Sequence, residues 1–207
     1  MAASSQIIAT IALVTLGYFL GSIPFSYLVA KACGVDLRKV GSGNIGGANV
    51  WRSCGFGPFL IAATSDILKG TVPTIIAIYA VQLPSYAIVL VGVSAILGHT
   101  FPIFLHFKGG KAVATSGGVL LAIFPLLIVC GIIAWAAGFL ITRISAIGSL
   151  SAAVVVLVLG TIFLFTGQIP LAYAIFIWIM CGVITFLHRE NIRRLIAGTE
   201  QRFTKLS

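Results

Sequence analysis

The sequence predicts an all-α integral membrane protein with seven transmembrane helices, some of them short, the amino terminus outside and the carboxyl terminus cytoplasmic. Three observations predict it. Of the 207 residues, 59% are apolar and 23 are Gly, while only 8% are charged, against roughly a quarter in an ordinary soluble domain. The apolar residues fall into runs close to the roughly 20 residues that a helix needs to cross about 30 Å of hydrocarbon. The basic residues collect after alternate runs. This composition leaves room for six or seven crossings and no separate soluble domain, so residues 1–207 read as one polytopic membrane domain.

The runs cover residues 7–30, 58–80, 84–106, 112–124, 126–142, 147–166 and 169–187. The first has no basic residue ahead of it and continues past signal-peptide length through Tyr18, Phe19 and Leu20, so it reads as a retained spanning helix. Residues 112–142 number only 31, too few for two full crossings. One long helix is the alternative, but it would put Arg143 and the basic tail outside. Two short helices turning near Pro125 keep the charges consistent.

Polarity follows from the charges, 13 Lys plus Arg against 4 Asp plus Glu. Lys31, Arg38, Lys39 and Arg52 follow the first run, Lys108 and Lys111 the third, Arg143 the fifth, and Arg189, Arg193, Arg194, Arg202 and Lys205 the seventh. The opposite connections, around Gln82 and Ser85 and at Gly167 and Gln168, carry no Lys or Arg. By the positive-inside rule the basic side is cytoplasmic. No long soluble basic surface exists to bind nucleic acid, so none is expected as a partner. Cys33, Cys54, Cys130 and Cys181 have neither disulfide-framework nor metal-ligand spacing and read as reduced structural thiols.

Polar chemistry is confined to three segments. The first, GSGNIGGANVWRSCGFG from Gly41 to Gly57, interleaves Gly41, Gly43, Gly46 and Gly47 with Ser42, Asn44, Asn49 and Arg52. Glycine at this density lets main-chain N–H groups converge on an anion, and Arg52 offers a planar fork for phosphate. A flexible interhelical loop is the plainer reading. The second, HTFPIFLHFKGGKAVAT, runs through Lys108, Gly109, Gly110 and Lys111 into the fourth helix, where helix N–H groups and the lysine charge suit phosphate. It lacks the GxxxxGK[ST] pattern, so nucleotide binding gains no support. The third, HRENIRRLIAGTEQRFTKLS, reads as an interfacial helix, with His188, Glu190 and Asn191 placed to face the cytoplasmic side. Within the spans, Asp66 and Lys69 share a helix face and read as a structural pair. His99 reads as a packing residue.

Taken together and in order, GSGN with its glycine-rich continuation and Arg52, then DILKG, GHTFPIFLHFKGGKAVAT, and HREN with NIRRLIAGTE resemble the bacterial acyl-phosphate:glycerol-3-phosphate acyltransferase family over about residues 21–200. Two departures stand out: Gly47 and Ala48 occur where the family more often has Ala and Thr, and Ala112 where Gly is usual.

The resemblance implies a seven-helix enzyme of the bacterial inner membrane. It would transfer an acyl chain from acyl phosphate to the 1-hydroxyl of sn-glycerol 3-phosphate, giving lysophosphatidic acid and phosphate, with no cofactor and with the active site on the cytoplasmic face. It assigns catalytic roles to Ser42, Asn44, Lys111 and His188. Glycerol 3-phosphate would be held by Arg52, Lys111, Ser149, His188 and Asn191, with Ser145 the alternative to Ser149. Acyl phosphate would be held by Gly41, Ser42, Gly43, Asn44, Gly46, Gly47, Asn49, Gly109 and Gly110. Asp66, Lys69 and Glu200 are expected to be structural. Because acyl phosphate is already activated, no covalent enzyme intermediate is required; acylation of Ser42 is the alternative, and the proton goes to a substrate phosphate oxygen in preference to His188. The other class of protein compatible with the basic segments is a transporter or channel for a phosphorylated solute, but no internal repeat supports it. A metal-dependent phosphotransferase would want clustered carboxylates, and the acids are dispersed.

Overall fold

Most breaks between helices fall at proline or left-handed backbone, the exception being His188 (φ −94°) between the last two helices. The computed structural model describes residues 3–204. Helices α1 (Ala3–Ser22) and α2 (Phe25–Ala32) make up one apolar stretch, Ser4–Ala32, interrupted at Pro24, whose ring and missing N–H disrupt the helix. A glycine-rich loop leads to α3 (Gly47–Cys54), then α4 (Phe56–Ile75), which ends in a π-helical turn over Ile76–Ala80. After α5 (Ser85–Thr100) come a 3₁₀ turn at Ile103–Leu105 and α6 (Val113–Ile123). The chain continues through α7 (Pro125–Thr142), α8 (Ser145–Phe165), α9 (Leu171–Leu187) and α10 (Arg189–Ile196), with no strand among the described residues.

All seven predicted runs are helical, but length and composition qualify fewer than seven as spans. Five stretches are long and apolar enough: Ser4–Ala32, Phe56–Ala80, Ser85–Leu105, Pro125–Thr142 and Ser145–Phe165; α9 and α10, bent by 55°, make a sixth if taken as one. The exception is α6, whose 11 residues reach only about 16 Å at 1.5 Å per residue. Residues 112–142 form two helices and not one. Phe124 leaves the helical region (φ −158°, ψ 85°) and Pro125 takes the first position of α7, where its missing N–H is no loss.

The chain divides into two compact units, Met1–Ile123 and Phe124–Ser207. In the first, α1 lies along α5 and α4 along α6, with glycines at the contacts: a Cβ on Gly21 would overlap the Ala95 main chain, and one on Gly118 that of Ile67. Thr71 Oγ1 donates to Gly118 O at 2.9 Å. Small residues let helix backbones approach where lipid supplies no hydrophobic drive to associate. In the second unit α7 packs on α8 at Gly138 and Gly148, and α8 on α9 at Gly160, whose Cβ would come within 2.8 Å of Ile177. Large apolar side chains such as Ile8, Ile133 and Ile141 stay exposed, as lipid-facing residues do.

Candidate phosphate-binding segments

In the first unit the glycine-rich loop is anchored from below. Leu37 and Ile45 are buried in a cluster with Ala30 of α2, Val50 of α3 and Ala62 of α4. At its entry, Asp36 accepts from Arg38 Nε at 3.0 Å and from Nη2 at 2.9 Å, and Arg38 Nη2 also lies 3.0 Å from Tyr27 Oη. The hydrogen bonds from Arg38 hold the Asp36 carboxyl down to about 2.

Asn49, 1% exposed, ties the loop together. Its Nδ2 lies within donating distance of Leu37 O at 3.1 Å, Val40 O at 3.1 Å and Asn44 O at 3.0 Å, and its Oδ1 accepts the Ser42 N–H at 3.3 Å. The next two N–H groups are also engaged within the loop, Gly43 to Val40 O at 3.0 Å and Asn44 to Ser42 Oγ at 3.4 Å. Gly41 and Gly43 take positive φ, 55° and 68°. The loop is therefore a braced turn, with Ser42 on its exposed rim and Asn44 half-exposed. Sequence spacing alone did not distinguish Asn49 as a brace from Asn49 as a ligand contact.

Beyond the loop, Gly46 caps α3, which carries the half-buried Arg52. Trp51 stacks on Phe59 at 4.8 Å and meets Phe56 at 5.0 Å. A Cβ on Gly47 would touch the Phe59 ring at 3.3 Å, so the alanine usual in the resembling family would need that ring to give by a few tenths of an ångström. Burial, and then the neighbouring Cys33, push the Cys54 thiol up, the opposite of what activates a nucleophile.

The second segment is tighter than the sequence suggests. His106, Phe107 and Ala112 all have positive φ, 51°, 60° and 66°, and Ala112 is fully buried. Helix α6 begins at Val113, one residue after the run's first position, with left-handed Ala112 ahead of it and Ala112 O accepting the Ser116 N–H at 2.9 Å. Gly110 donates its N–H to His99 O at 3.1 Å. Lys108 is exposed and Lys111 half-buried.

Under this segment the predicted pair forms. Lys69 Nζ is 2.8 Å from Asp66 Oδ1, both side chains 3% exposed, and Lys69 also donates to Ile23 O at 3.1 Å, beside the Pro24 break. Asp66 Oδ2 accepts from Ser26 Oγ at 2.7 Å.

In the second unit Ser145 and Ser149 are both buried at the start of α8, and Ser149 Oγ donates to Ser145 O at 3.1 Å. His188 stands at the junction of α9 and α10 with Nδ1 2.8 Å from Ile184 O. A carbonyl oxygen can only accept, so Nδ1 is the donor in that contact. Asn191 donates to Glu200 Oε1 at 2.7 Å, and Arg194 Nε to Glu200 Oε2 at 2.6 Å. Glu200 thus orients Asn191 and ties the tail to α10. Phe203 N donates to Arg143 O at 2.8 Å, and its ring meets Phe139 at 5.2 Å. Among the described residues no group of three or more His, Cys, Asp or Glu could hold a metal.

Residues 11–198 match the family model described as glycerol-3-phosphate acyltransferase. The chain belongs to that family. A glycerol-3-phosphate acyltransferase of Roseiflexus sp. (strain RS-1) is 58% identical over 96% of this chain and 98% of its own, and one of Aquifex aeolicus (strain VF5) 38% identical over 92% and 97%. Two crystal structures of PlsY (YgiH), an integral membrane glycerol 3-phosphate acyltransferase, superpose on it. The glycerol 3-phosphate form gives a TM-score of 0.87 at 38% identity, and the lysophosphatidic acid form 0.85 at 36%, each covering 95% of this chain and 96% of that one. The chain is thus a PlsY-type acyltransferase of phospholipid synthesis, integral to the membrane. Within this acyltransferase fold, sequence reasoning missed Ser26 and the contact of His99 with Gly110. Ser26 lies 40 positions from Asp66 and carries no pattern of its own, and the contact of His99 with Gly110 depends on where the chain folds back.

Proposed function

We propose that this acyltransferase uses acyl phosphate as donor and forms 1-acylglycerol 3-phosphate and inorganic phosphate from sn-glycerol 3-phosphate. The observation carrying this reading is the near-complete superposition on PlsY, a protein solved in both a glycerol 3-phosphate and a lysophosphatidic acid form. In the reaction the 1-hydroxyl oxygen attacks the acyl carbonyl carbon, the carbon–oxygen bond to phosphate breaks, and the hydroxyl proton passes to a phosphate oxygen. Phosphate is a stable leaving group, so the residues position the reactants and balance charge, without cofactor or metal.

Ser42, Asn44 and the glycines of the two segments receive the acyl phosphate, with Asn49 shaping the first loop. Arg52 and Lys111 supply positive charge to phosphate, and Lys111 also balances charge developing at the reacting centre. Ser149, His188 and Asn191 bind glycerol 3-phosphate. The topology proposed has seven helices, counting the short α6 as part of a thin hairpin with α7, the amino terminus outside and these segments on the cytoplasmic face of the bacterial inner membrane; the distribution of basic residues supports it. Labelling of Ser85→Cys and Arg143→Cys by an impermeant reagent from the same side would overturn that topology.

The deciding assay gives purified protein acyl phosphate and glycerol 3-phosphate without coenzyme A, acyl carrier or metal. Phosphate release matched by lysophosphatidic acid is expected. Turnover only with another acyl donor would overturn the donor assignment.

A further inference from the structure

A buried ionic cluster in the first unit has no part in the chemistry above. Asp66 and Lys69 are joined by the imidazole of His99, itself 8% exposed, with Nδ1 3.7 Å from Asp66 Oδ1. Removing two charges from water costs several kcal/mol per ion, which mutual attraction often fails to repay. Such a cluster is better explained by where it holds things than by stability.

What it holds is the second glycine-rich segment. A Cβ on Gly110 would overlap Nε2 of His99 and come within 2.8 Å of Cε1; one on Gly109 would overlap the carbonyls of His99 and Thr100 and come within 2.6 Å of Pro102. The Gly110 N–H is bonded to the His99 carbonyl. The main chain at 109–110 therefore rests on the His99 ring and on the end of α5 at once. Asp66 and Lys69 stand behind the ring, with Lys69 anchored on Ile23 O and Asp66 on Ser26. A small cavity here reaches from this cluster to Gly110 and to Ile45 of the first loop.

We propose that His99, held by Asp66 and Lys69, is a positioning residue that sets the main chain at Gly109 and Gly110 for phosphate binding. This rests on the reading above in which those glycines receive acyl phosphate. His99 does not touch substrate; it acts through the glycine main chain. Both glycines are thereby explained by packing as well as by ligand approach.

The test is a double-mutant cycle on the full-length protein in micelles, with Gly110→Ala, His99→Ala and their combination. Two quantities are read: kcat and KM for each substrate, and the rate of tryptic cleavage after Lys108, with cleavage after Lys39 as internal reference. Gly110→Ala is expected to lower kcat/KM for acyl phosphate by about a hundredfold, the scale of a 1 Å misplacement. His99→Ala is expected to lower it by about tenfold and to speed cleavage after Lys108 but not after Lys39. The double variant is expected to recover about tenfold over Gly110→Ala, since the cavity left by the ring admits the new methyl. His99→Asn, also shorter than His, repeats the cycle if His99→Ala does not fold. Unchanged kinetics and cleavage in the His99 variant, or a double variant no better than Gly110→Ala, would overturn the proposal. A wild-type protein that does not turn over acyl phosphate would overturn the donor reading alone, because the cleavage cycle still tests the contact.

Discussion

Replacing Asn49 by Ala removes an amide that lies against three main-chain carbonyls and one N–H. Two hydrogens on Nδ2 serve the three carbonyls, so with the bond from Ser42 N–H about three hydrogen bonds are lost, at roughly 1 kcal/mol each or somewhat more for groups left buried. About 3 kcal/mol corresponds to a shift of about a hundredfold in the equilibrium between braced and open loop, and substrate affinity falls by the fraction of loop no longer competent. The global fold is spared, because Leu37 and Ile45 remain in their apolar cluster. The assay is steady-state kinetics with each substrate, together with tryptic cleavage after Arg38 and Lys39, both exposed. Asn49→Ala should raise KM for acyl phosphate, lower kcat and speed cleavage in the loop. Asn49→Asp should behave at least as badly, since a carboxylate would face three carbonyls. If Asn49→Ala raised KM for acyl phosphate while leaving cleavage unchanged, Asn49 would be a ligand contact and the brace would be refuted.

His188→Gln should mainly raise KM for glycerol 3-phosphate; a loss in kcat of about 10²-fold or more with KM kept would make His188 the general base. Removing one partner of the buried pair, as in Asp66→Leu or Lys69→Met, should cost about 3–5 kcal/mol in detergent unfolding, and the double replacement clearly less than either; an additive double would contradict the pairing. The Asp36 carboxyl, lowered to about 2 from an ordinary 3.8, adds stability that is present above the unfolded value and lost as pH falls through about 2. Arg38→Ala should bring its titration back up, as NMR of the side-chain carboxyl would record. Ala112→Gly relieves a left-handed residue worth about 1–2 kcal/mol but removes a buried methyl worth about 0.8, so it should shift stability by no more than about 1 kcal/mol. Ala112→Val, β-branched at positive φ, should destabilise measurably in the same thermal scans.

By itself the sequence determined where the long apolar helices run and that residues 112–142 break near Pro125, because lipid-length apolar stretches follow from composition along the chain; the break at Pro24 and helix α3, inside the segment read as a loop, it did not show. It also determined the Asp66–Lys69 pair, which lies within a single helix face, and the ordered motifs that identify the family. The tertiary structure decided whatever depends on where the chain returns. Asn49 is a brace because Leu37 and Val40 fold back over it; Gly110 must be glycine because the end of α5 brings His99 beneath it; Ser26 meets Asp66 because Pro24 breaks the first apolar run beside α4. It also decided the bounds of α6, which the sequence already made short: left-handed Ala112 precedes its first residue and Phe124 ends it. Periodicity and composition are local quantities, whereas the partner of a buried amide or imidazole is settled by the packing of distant segments that must satisfy polar groups away from water.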